Sequence, residues 1–251
     1  MKLSALLSPI SQPQTANAIA EQARMLVGEG FEGLWSAQAI GRGFMLTDPF
    51  VALSIAAAVT EAVDIGTAVI QVPLYQPADL AHRVLSLLQV CGERLILGVG
   101  AGSTQKDFDA FGRDYAGRFR TFNSATATLR TLLATGRSGD TDLSPWPATL
   151  GVPPVFFGSW GNGVERAAKS FDGWIASGAY RSPTEVIAAL GRYRQAGGRR
   201  AIVSTIQLRG DTDLGQLGDV LRQYRDAGFD DAVVMFLPGG PKPSRVRALV
   251  S

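Results

Sequence analysis

The sequence predicts an α/β protein that folds as a single TIM-type (β/α)8 barrel with short insertions, with residues 1–251 as one domain. Short apolar runs, typical of buried parallel strands, alternate about eight times with helical patterns. The chain has 251 residues, the usual length of one such barrel. A doubly wound open sheet is the competing architecture, but no Gly-x-Gly-x-x-Gly motif follows the first predicted strand.

The first four strand–helix units carry clear start and stop signals. Gly28 and Gly30 end the first helix, and Asp48 followed by Pro49 marks the N-cap and first residue of the second. Pro77 opens the third helix in the same way. The predicted strands are residues 3–7, 31–36, 63–70 and 94–100, and the predicted helices begin near residues 19, 49, 77 and 119.

The second half begins after a polar connector over residues 135–152, which we expect on the surface. The densest basic stretch, Arg192, Arg194, Arg199 and Arg200, favours a solvated helix end, where cations complement the helix dipole. The predicted strands are residues 153–158, 172–178, 200–208 and 230–237, and the helices begin near residues 161, 186, 214 and 241.

Composition argues against several classes of partner. The formal charge is +2 with Lys and Arg scattered along the chain, so nucleic-acid binding has little support. No apolar run reaches the roughly 18 residues of a membrane span, so no membrane association is expected. The one cysteine, Cys91, rules out an intrachain disulfide and fits a buried hydrophobe in a reducing cytoplasm.

The active site of such a barrel lies at the C-terminal ends of its strands. The residues at these ends are small, with few acids, bases or metal ligands, and the chain's one histidine, His82, falls in an outer helix. We therefore expect no metal site, and a bound cofactor would carry the chemistry. The predicted strand ends are Ser8 and residues 36–38, 68–71, 100–103, 158–163, 177–180, 207–210 and 237–240.

A glycine-rich segment, FGSWGNGVERAA, lies between the fifth strand and the next helix. Free backbone N–H groups and the positive end of the helix dipole favour a phosphate at such a junction. The alternative is a glycine-rich turn that only caps the helix.

Several motifs together resemble one family. GTAVIQVPLYQP at residues 66–77, LAHRVLSLLQVCGERLILGVGAG at 80–102 and KDFDAFG at 106–112 are similar to the bacterial luciferase-like flavin-dependent oxidoreductases. The resemblance runs from Gly30 to about Gly178. It implies a TIM barrel that binds FMN or the deazaflavin coenzyme at the strand C-termini and transfers hydride, with oxygen activation in some members.

The resemblance also implies roles for individual residues. A non-proline cis peptide, which supports the flavin ring, is expected at Ala68-Val69. The cofactor would be FMN, with the deazaflavin coenzyme as the alternative. Gly100, Ala101 and Gly102 would lie beside the flavin, and the backbone of Trp160, Gly161, Asn162 and Gly163, with Ser159 nearby, would hold its phosphate.

The chain departs from the family pattern of the luciferases at two motifs and in the length of one loop. Ala101 stands where they have an arginine that contacts the phosphate. Gln38, Ala39 and Ile40 stand where they have a Glu-His-His run that includes a catalytic histidine. Gln38 remains the candidate catalytic residue, through a hydrogen bond to a flavin carbonyl or a substrate. The loop after the seventh strand, Arg209 to Asp213, is also shorter than usual.

The leading hypothesis is an oxidoreductase that transfers hydride between reduced flavin and a small-molecule substrate. Gln38, Tyr75, Ser103 and Trp160 are the candidate lining residues. A flavin reductase or NAD(P)H would supply electrons, and a homodimer is expected. The alternatives are a flavin-binding protein without turnover and a barrel that binds a sugar phosphate.

Overall fold

The computed structural model describes residues 1–7, 17–151 and 153–250, so the predicted strand end at Ser8 lies outside the described residues. Eight parallel strands build one closed barrel. They are β1 (Lys2–Leu6), β2 (Gly33–Ser36), β3 (Asp64–Thr67), β4 (Leu95–Gly100), β5 (Val155–Gly158), β6 (Gly173–Ser177), β7 (Arg200–Leu208) and β8 (Asp231–Phe236).

Strand pairing confirms the predicted (β/α)8 barrel over the open sheet. Each strand pairs in parallel with the next along the chain. The last strand returns to the first, with Lys2 opposite Asp231 and Ala5 opposite Val234. Because β8 closes on β1, each of these eight strands has a partner on both sides within the described residues.

The helices surround the barrel, and eight of those described start near the predicted positions. The short helix over residues 105–109 lies in a segment predicted as a loop. Asp48 caps α2 by accepting the N–H groups of Phe50 at 2.9 Å and Val51 at 3.3 Å. The helices are α1 (Ala18–Gly28), α2 (Pro49–Val59), α3 (Pro77–Cys91), α4 (Gln105–Asp109), α5 (Arg118–Thr135), α6 (Gly163–Ser170), α7 (Pro183–Gln195), α8 (Leu214–Ala227) and α9 (Pro243–Arg247).

Besides the unpredicted α4, two segments differ from the expected element pattern. The predicted strand at 63–70 stops at Thr67, and a separate short strand, Ile70–Gln71, pairs with Val99 and Gly100. The 135–152 connector carries a small hairpin, with Arg137–Ser138 antiparallel to Thr141–Asp142.

Buried side chains form two apolar layers. The larger layer lies between strands and helices and includes Leu53, Val84, Leu129 and Cys91, which is 4% exposed. A smaller cluster fills the barrel interior, contributed by inward-facing residues of successive strands: Leu6, Trp35, Ile96, Phe156, Ile175, Ile202 and Val233. In the described part of the chain, no helix is long and apolar enough to cross a membrane.

A charged network joins strand starts at the N-terminal end of the barrel. Arg200, the first residue of β7, donates from Nε to Asp231 at 2.8 Å and from Nη2 to Asp64 at 2.6 Å. Lys2 donates to the same Asp64 oxygen at 2.9 Å. The predicted start of a strand at Arg200 is confirmed. The prediction that Arg200 belongs to a solvated helix end is wrong, because its guanidinium pairs with two carboxylates.

Asp64 is the shared acceptor of this network, since it receives hydrogen bonds from both Arg200 and Lys2. Burial alone would raise the pKa of Asp64, but these hydrogen bonds outweigh burial and lower it. A lowered folded-state pKa means that the ionised carboxylate stabilises the folded protein. This contribution is fully present above the unfolded pKa, near 4, and is lost as the pH falls through the folded value.

We expect Asp64→Asn to lower the free energy of unfolding at pH 7 by about 1–3 kcal/mol, the range for charge-assisted hydrogen bonds. The difference from the unsubstituted protein should shrink as the pH falls below about 4. Urea unfolding at pH 7 and at acidic pH measures both effects. Asp226→Asn is the control, because the Arg225–Asp226 pair is exposed and is expected to contribute less than about 0.5 kcal/mol. Equal losses in the two variants would contradict the prediction.

Candidate cofactor site

The mouth of the barrel, at the C-terminal ends of the strands, has a small apolar floor. Ala37, Ala68, Val69 and Met235 are half-buried and pack against the interior cluster. They come from the ends of β2, β3 and β8. We call these four residues the floor. None of them ionises or donates a side-chain proton, so the floor offers van der Waals contact rather than acid–base chemistry.

The peptide bond between Ala68 and Val69 is cis, which confirms the expectation from the family resemblance. The Val69 side chain lies between the ends of two neighbouring strands. A Cβ added to Gly100 would come within 2.8 Å of Val69 Cγ2, and one added to Gly158 within 2.6 Å of Val69 Cγ1. Both positions therefore need glycine to make room for Val69.

Ala101 and Gly102, which with Gly100 are predicted to lie beside the flavin, expose little side chain to a ligand. Ala101 is 7% exposed, and its methyl group packs in the layer between strands and helices. Gly102 has a φ of +82°, and a Cβ there would come within 2.5 Å of Gln71 Oε1. Only backbone atoms of this segment are available to a ligand, and its predicted contact with the flavin stays a prediction.

Sequence reasoning missed a buried acid close to Gly102. Asp107, on α4 within the KDFDAFG motif, has no exposed surface. Its carboxylate accepts Ile40 N–H at 3.2 Å, Arg42 Nε at 2.8 Å and Gln71 Nε2 at 2.7 Å, and Arg42 Nη2 contacts its second oxygen. The loops after β2, β3 and β4 are thereby tied to one carboxylate.

These hydrogen bonds keep Asp107 ionised. Burial alone would raise the pKa of Asp107, but the hydrogen bonds from Arg42, Gln71 and the Ile40 N–H outweigh burial and lower it. The sequence offered one signal for this pair: an acid soon after the end of β4 and an arginine soon after the end of β2, where neighbouring loops can meet.

Gln38, the candidate catalytic residue, is 7% exposed and has both ends of its amide engaged. Its Oε1 accepts the Gln71 N–H at 2.9 Å, and its Nε2 donates to the Tyr75 hydroxyl at 2.6 Å. Burial raises the pKa of Tyr75 to about 12, so this phenol is neutral at pH 7. The geometry favours a positioning role for Gln38, and its catalytic role stays a prediction.

The glycine-rich turn after β5 leaves only some of its predicted donors free. The Gly163 N–H donates to Trp160 O at 3.1 Å, and the Ser159 hydroxyl donates to Gly163 O at 2.8 Å. Gly161 and Asn162 are exposed, and their N–H groups make no hydrogen bond within the described residues. These two N–H groups and the start of α6 remain available to an anion.

A second feature that sequence reasoning missed lies in β7. Thr205 has a φ of +62°, and the pairing of β7 with β8 shifts register between Val203 and Ile206. A β-branched residue rarely takes a positive φ, and β-bulges of this kind often lie beside active sites. Nothing in the sequence RAIVSTIQL, a uniform strand pattern, indicated the bulge.

The structure describes no cluster of three or more His, Cys, Asp or Glu side chains that could hold a metal ion, within residues 1–7, 17–151 and 153–250. His82 is exposed on α3, as the sequence predicts, and lies outside the site.

Fold and mouth together define the class: a closed (β/α)8 barrel with an apolar floor and a glycine-rich turn at its C-terminal end. A family model described as luciferase-like monooxygenase matches residues 3–208. Since this match covers most of the chain, the protein belongs to the luciferase-like monooxygenase family.

One relative is a monooxygenase that matches half of this chain. The 4-hydroxyprotoasukamycin monooxygenase of Streptomyces nodosus subsp. asukaensis is 34% identical over 128 residues, 50% of this chain and 34% of that protein. This chain thus spans about a third of that relative's length.

Two solved structures share the fold at low identity. An F420-dependent secondary alcohol dehydrogenase in complex with an F420–acetone adduct has a TM-score of 0.79 at 15% identity, covering 99% of this chain and 97% of that one. The oxygenating constituent of 3,6-diketocamphane monooxygenase from Pseudomonas putida, in complex with FMN, has a TM-score of 0.68 at 15% identity, covering 89% and 71%.

We expect Asp107→Asn to release the β2 loop, because an amide has one acceptor oxygen for four donor groups. Backbone amides of residues 39–45 should exchange hydrogen faster, and unfolding should need about 3 kcal/mol less, as for a broken buried ion pair. Because the pKa of Asp107 is lowered, the unsubstituted protein should show the same loop release as the pH falls below about 4.

Hydrogen–deuterium exchange with peptide resolution measures this release. Asp109→Asn is the matched control, because Asp109 is exposed on the same helix. Unchanged exchange over 39–45 in Asp107→Asn would show that the carboxylate does not anchor the loop.

Proposed function

We propose that the protein is a flavin-dependent oxidoreductase that transfers hydride between a reduced flavin and a small-molecule substrate. One observation carries the proposal: the apolar floor and the free N–H groups of Gly161 and Asn162 lie at the same end of the barrel. Membership of the luciferase-like monooxygenase family supports it.

The residues of the mouth fit a flavin. An isoalloxazine ring is flat and mostly apolar, and the floor presents small side chains and Met235 without a charge. The phosphate of the cofactor suits the N–H groups of Gly161 and Asn162 and the positive end of the α6 dipole. We propose FMN as the cofactor, with the deazaflavin coenzyme F420 as the alternative; the solved structures with this fold include a complex of each kind.

When bound, the flavin supplies the redox chemistry of the reaction. The chain's own residues hold the loops of the site in place and orient what binds there. Asp107 fixes the loop after β2, and Gln38 links that loop to Gln71 and Tyr75. Tyr75, whose pKa is about 12, does not act as a base near neutral pH. The site therefore favours a reaction in which the protein excludes water and positions the substrate.

A flavin-binding protein without turnover is the second candidate. The engagement of both ends of the Gln38 amide favours it, because that side chain is then not free to hydrogen-bond a flavin carbonyl or a substrate. A turnover assay of the bound flavin separates the two candidates. The assay supplies NAD(P)H or a flavin reductase as the electron source, together with an electron acceptor.

A barrel that binds a sugar phosphate remains the third candidate, supported by the glycine-rich turn alone. A cytoplasmic location is part of the proposal and rests on the single buried cysteine, Cys91.

The outer face of α2 supports the proposed homodimer. The helix Pro49–Val59 has no charged residue, and Val51 and Ile55 on it are 51% and 36% exposed. A surface helix normally turns charged or polar residues to water. A second copy of the chain would cover this face, and the Asp79–Arg83 pair on the adjoining α3 could form reciprocal ion pairs across a two-fold axis.

The cofactor proposal predicts that the purified protein binds FMN or F420 with micromolar or better affinity. We expect Met235→Glu to weaken that binding at least about tenfold, because it places a carboxylate on the floor beneath the ring. Titration followed by flavin fluorescence measures both. Val90→Glu, on the exposed side of α3, is the control and should bind as the unsubstituted protein does. Absence of binding to either cofactor would overturn the proposed function.

The dimer proposal predicts that Ile55→Glu gives a monomer, since two carboxylates would meet at the apolar interface. Light scattering after size-exclusion chromatography measures the mass. Arg222→Glu on the exposed face of α8 should leave the dimer intact. A monomeric unsubstituted protein at micromolar concentration would refute the dimer and leave the cofactor proposal standing.

A further inference from the structure

The charged side chains around the glycine-rich turn differ in whether they already have hydrogen-bond or ion-pair partners. A cofactor phosphate would bring about two negative charges to this turn, and Ala101 contributes no cation. Arg166 of α6 donates to Asn123 Oδ1 at 2.7 Å, and its guanidinium lies 5.5 Å from the Phe157 ring centroid. Glu165 is neutralised by Arg192 at 3.0 Å. These groups serve packing and pairing between helices.

Arg181 has fewer partners than these residues. It lies in the loop after β6, the strand that pairs with β5, so its loop and the glycine-rich turn are neighbours at the barrel mouth. Its guanidinium carbon is 4.9 Å from the centroid of the Trp160 ring, within the turn itself. Its one hydrogen bond in the described chain is from Nη1 to the carbonyl of Tyr180 at 3.3 Å.

Glu185, the acid whose pKa the charge of Arg181 affects, already has two hydrogen-bond donors. The pKa of Glu185 is lowered first by hydrogen bonds from the Ser182 N–H and hydroxyl, and to a smaller extent by the charge of Arg181. Glu185 Oε2 accepts both Ser182 donors, at 2.9 and 2.8 Å, in the capping box of α7. Within the described residues Arg181 forms no ion pair, so its donors remain available to an anion.

We infer that Arg181 is the cation that binds the cofactor phosphate, held over the glycine-rich turn by the Trp160 ring. The inference rests on the proposed function and adds a binding residue to it. The ring limits the positions of the guanidinium, so less conformational freedom is lost when an anion binds. A guanidinium can also form two parallel charge-assisted hydrogen bonds to phosphate oxygens, which the neutral N–H groups of Gly161 and Asn162 complement.

FMN and riboflavin form the matched pair of probes, because they share the ring and differ by the phosphate. We expect Arg181→Gln to weaken FMN binding about 10- to 100-fold and to leave riboflavin binding within about twofold of the unsubstituted protein. Arg181→Lys should fall between, since it keeps the charge and loses the planar donor pair. Arg113→Gln, an exposed arginine at the same end of the barrel, is the control and should change neither.

Fluorescence titrations at two salt concentrations give the readout, with circular dichroism to confirm folding. The salt dependence of FMN binding should also fall in Arg181→Gln. Equal weakening for FMN and riboflavin would assign Arg181 a structural role and overturn the inference. Unchanged FMN binding would overturn it while leaving the proposed function intact. If the protein binds only F420, the same comparison uses F420 and its phosphate-free chromophore, and failure to bind any flavin overturns both proposals.

Discussion

The mouth of this barrel depends on one buried carboxylate. Asp107 has no exposed surface, and an ionised group in that position is tolerated only when its oxygens are fully hydrogen-bonded. Its partners, Ile40, Arg42 and Gln71, come from the segments that follow two neighbouring strands. The need to satisfy this charge therefore holds three loops in one arrangement, and the floor lies beside them.

The two ends of the barrel differ in where their charges lie. At the N-terminal end, Arg200 joins the starts of β3, β7 and β8 through Asp64 and Asp231. At the other end, the floor has no charge, and ionic contacts lie in the loops around it. The ion network thus lies at the N-terminal end of the barrel, and the uncharged floor lies at the end where we propose that a flavin binds.

Much of the fold and part of the site could be predicted from residues alone. Asp48 and Pro49 start α2 as predicted, because capping is a local interaction. Family resemblance placed the cis bond at Ala68-Val69 correctly. The contact between Arg42 and Asp107 could not be predicted from the sequence, because the two residues are 65 positions apart and meet only when the barrel closes. The ion pairs of Arg200 were missed for the same reason: its two carboxylate partners lie 31 and 136 residues away.

The sequence by itself determined the alternation of strands and helices, the family, and the glycine-rich turn, since each depends on short-range patterns of residues. Tertiary structure alone decided which donors of that turn remain free and that Arg181 lies over Trp160. It also decided that the Gln38 amide is engaged at both ends. These features depend on which loops the closed barrel brings side by side, and loop proximity is set by strand order and register rather than by any local sequence signal.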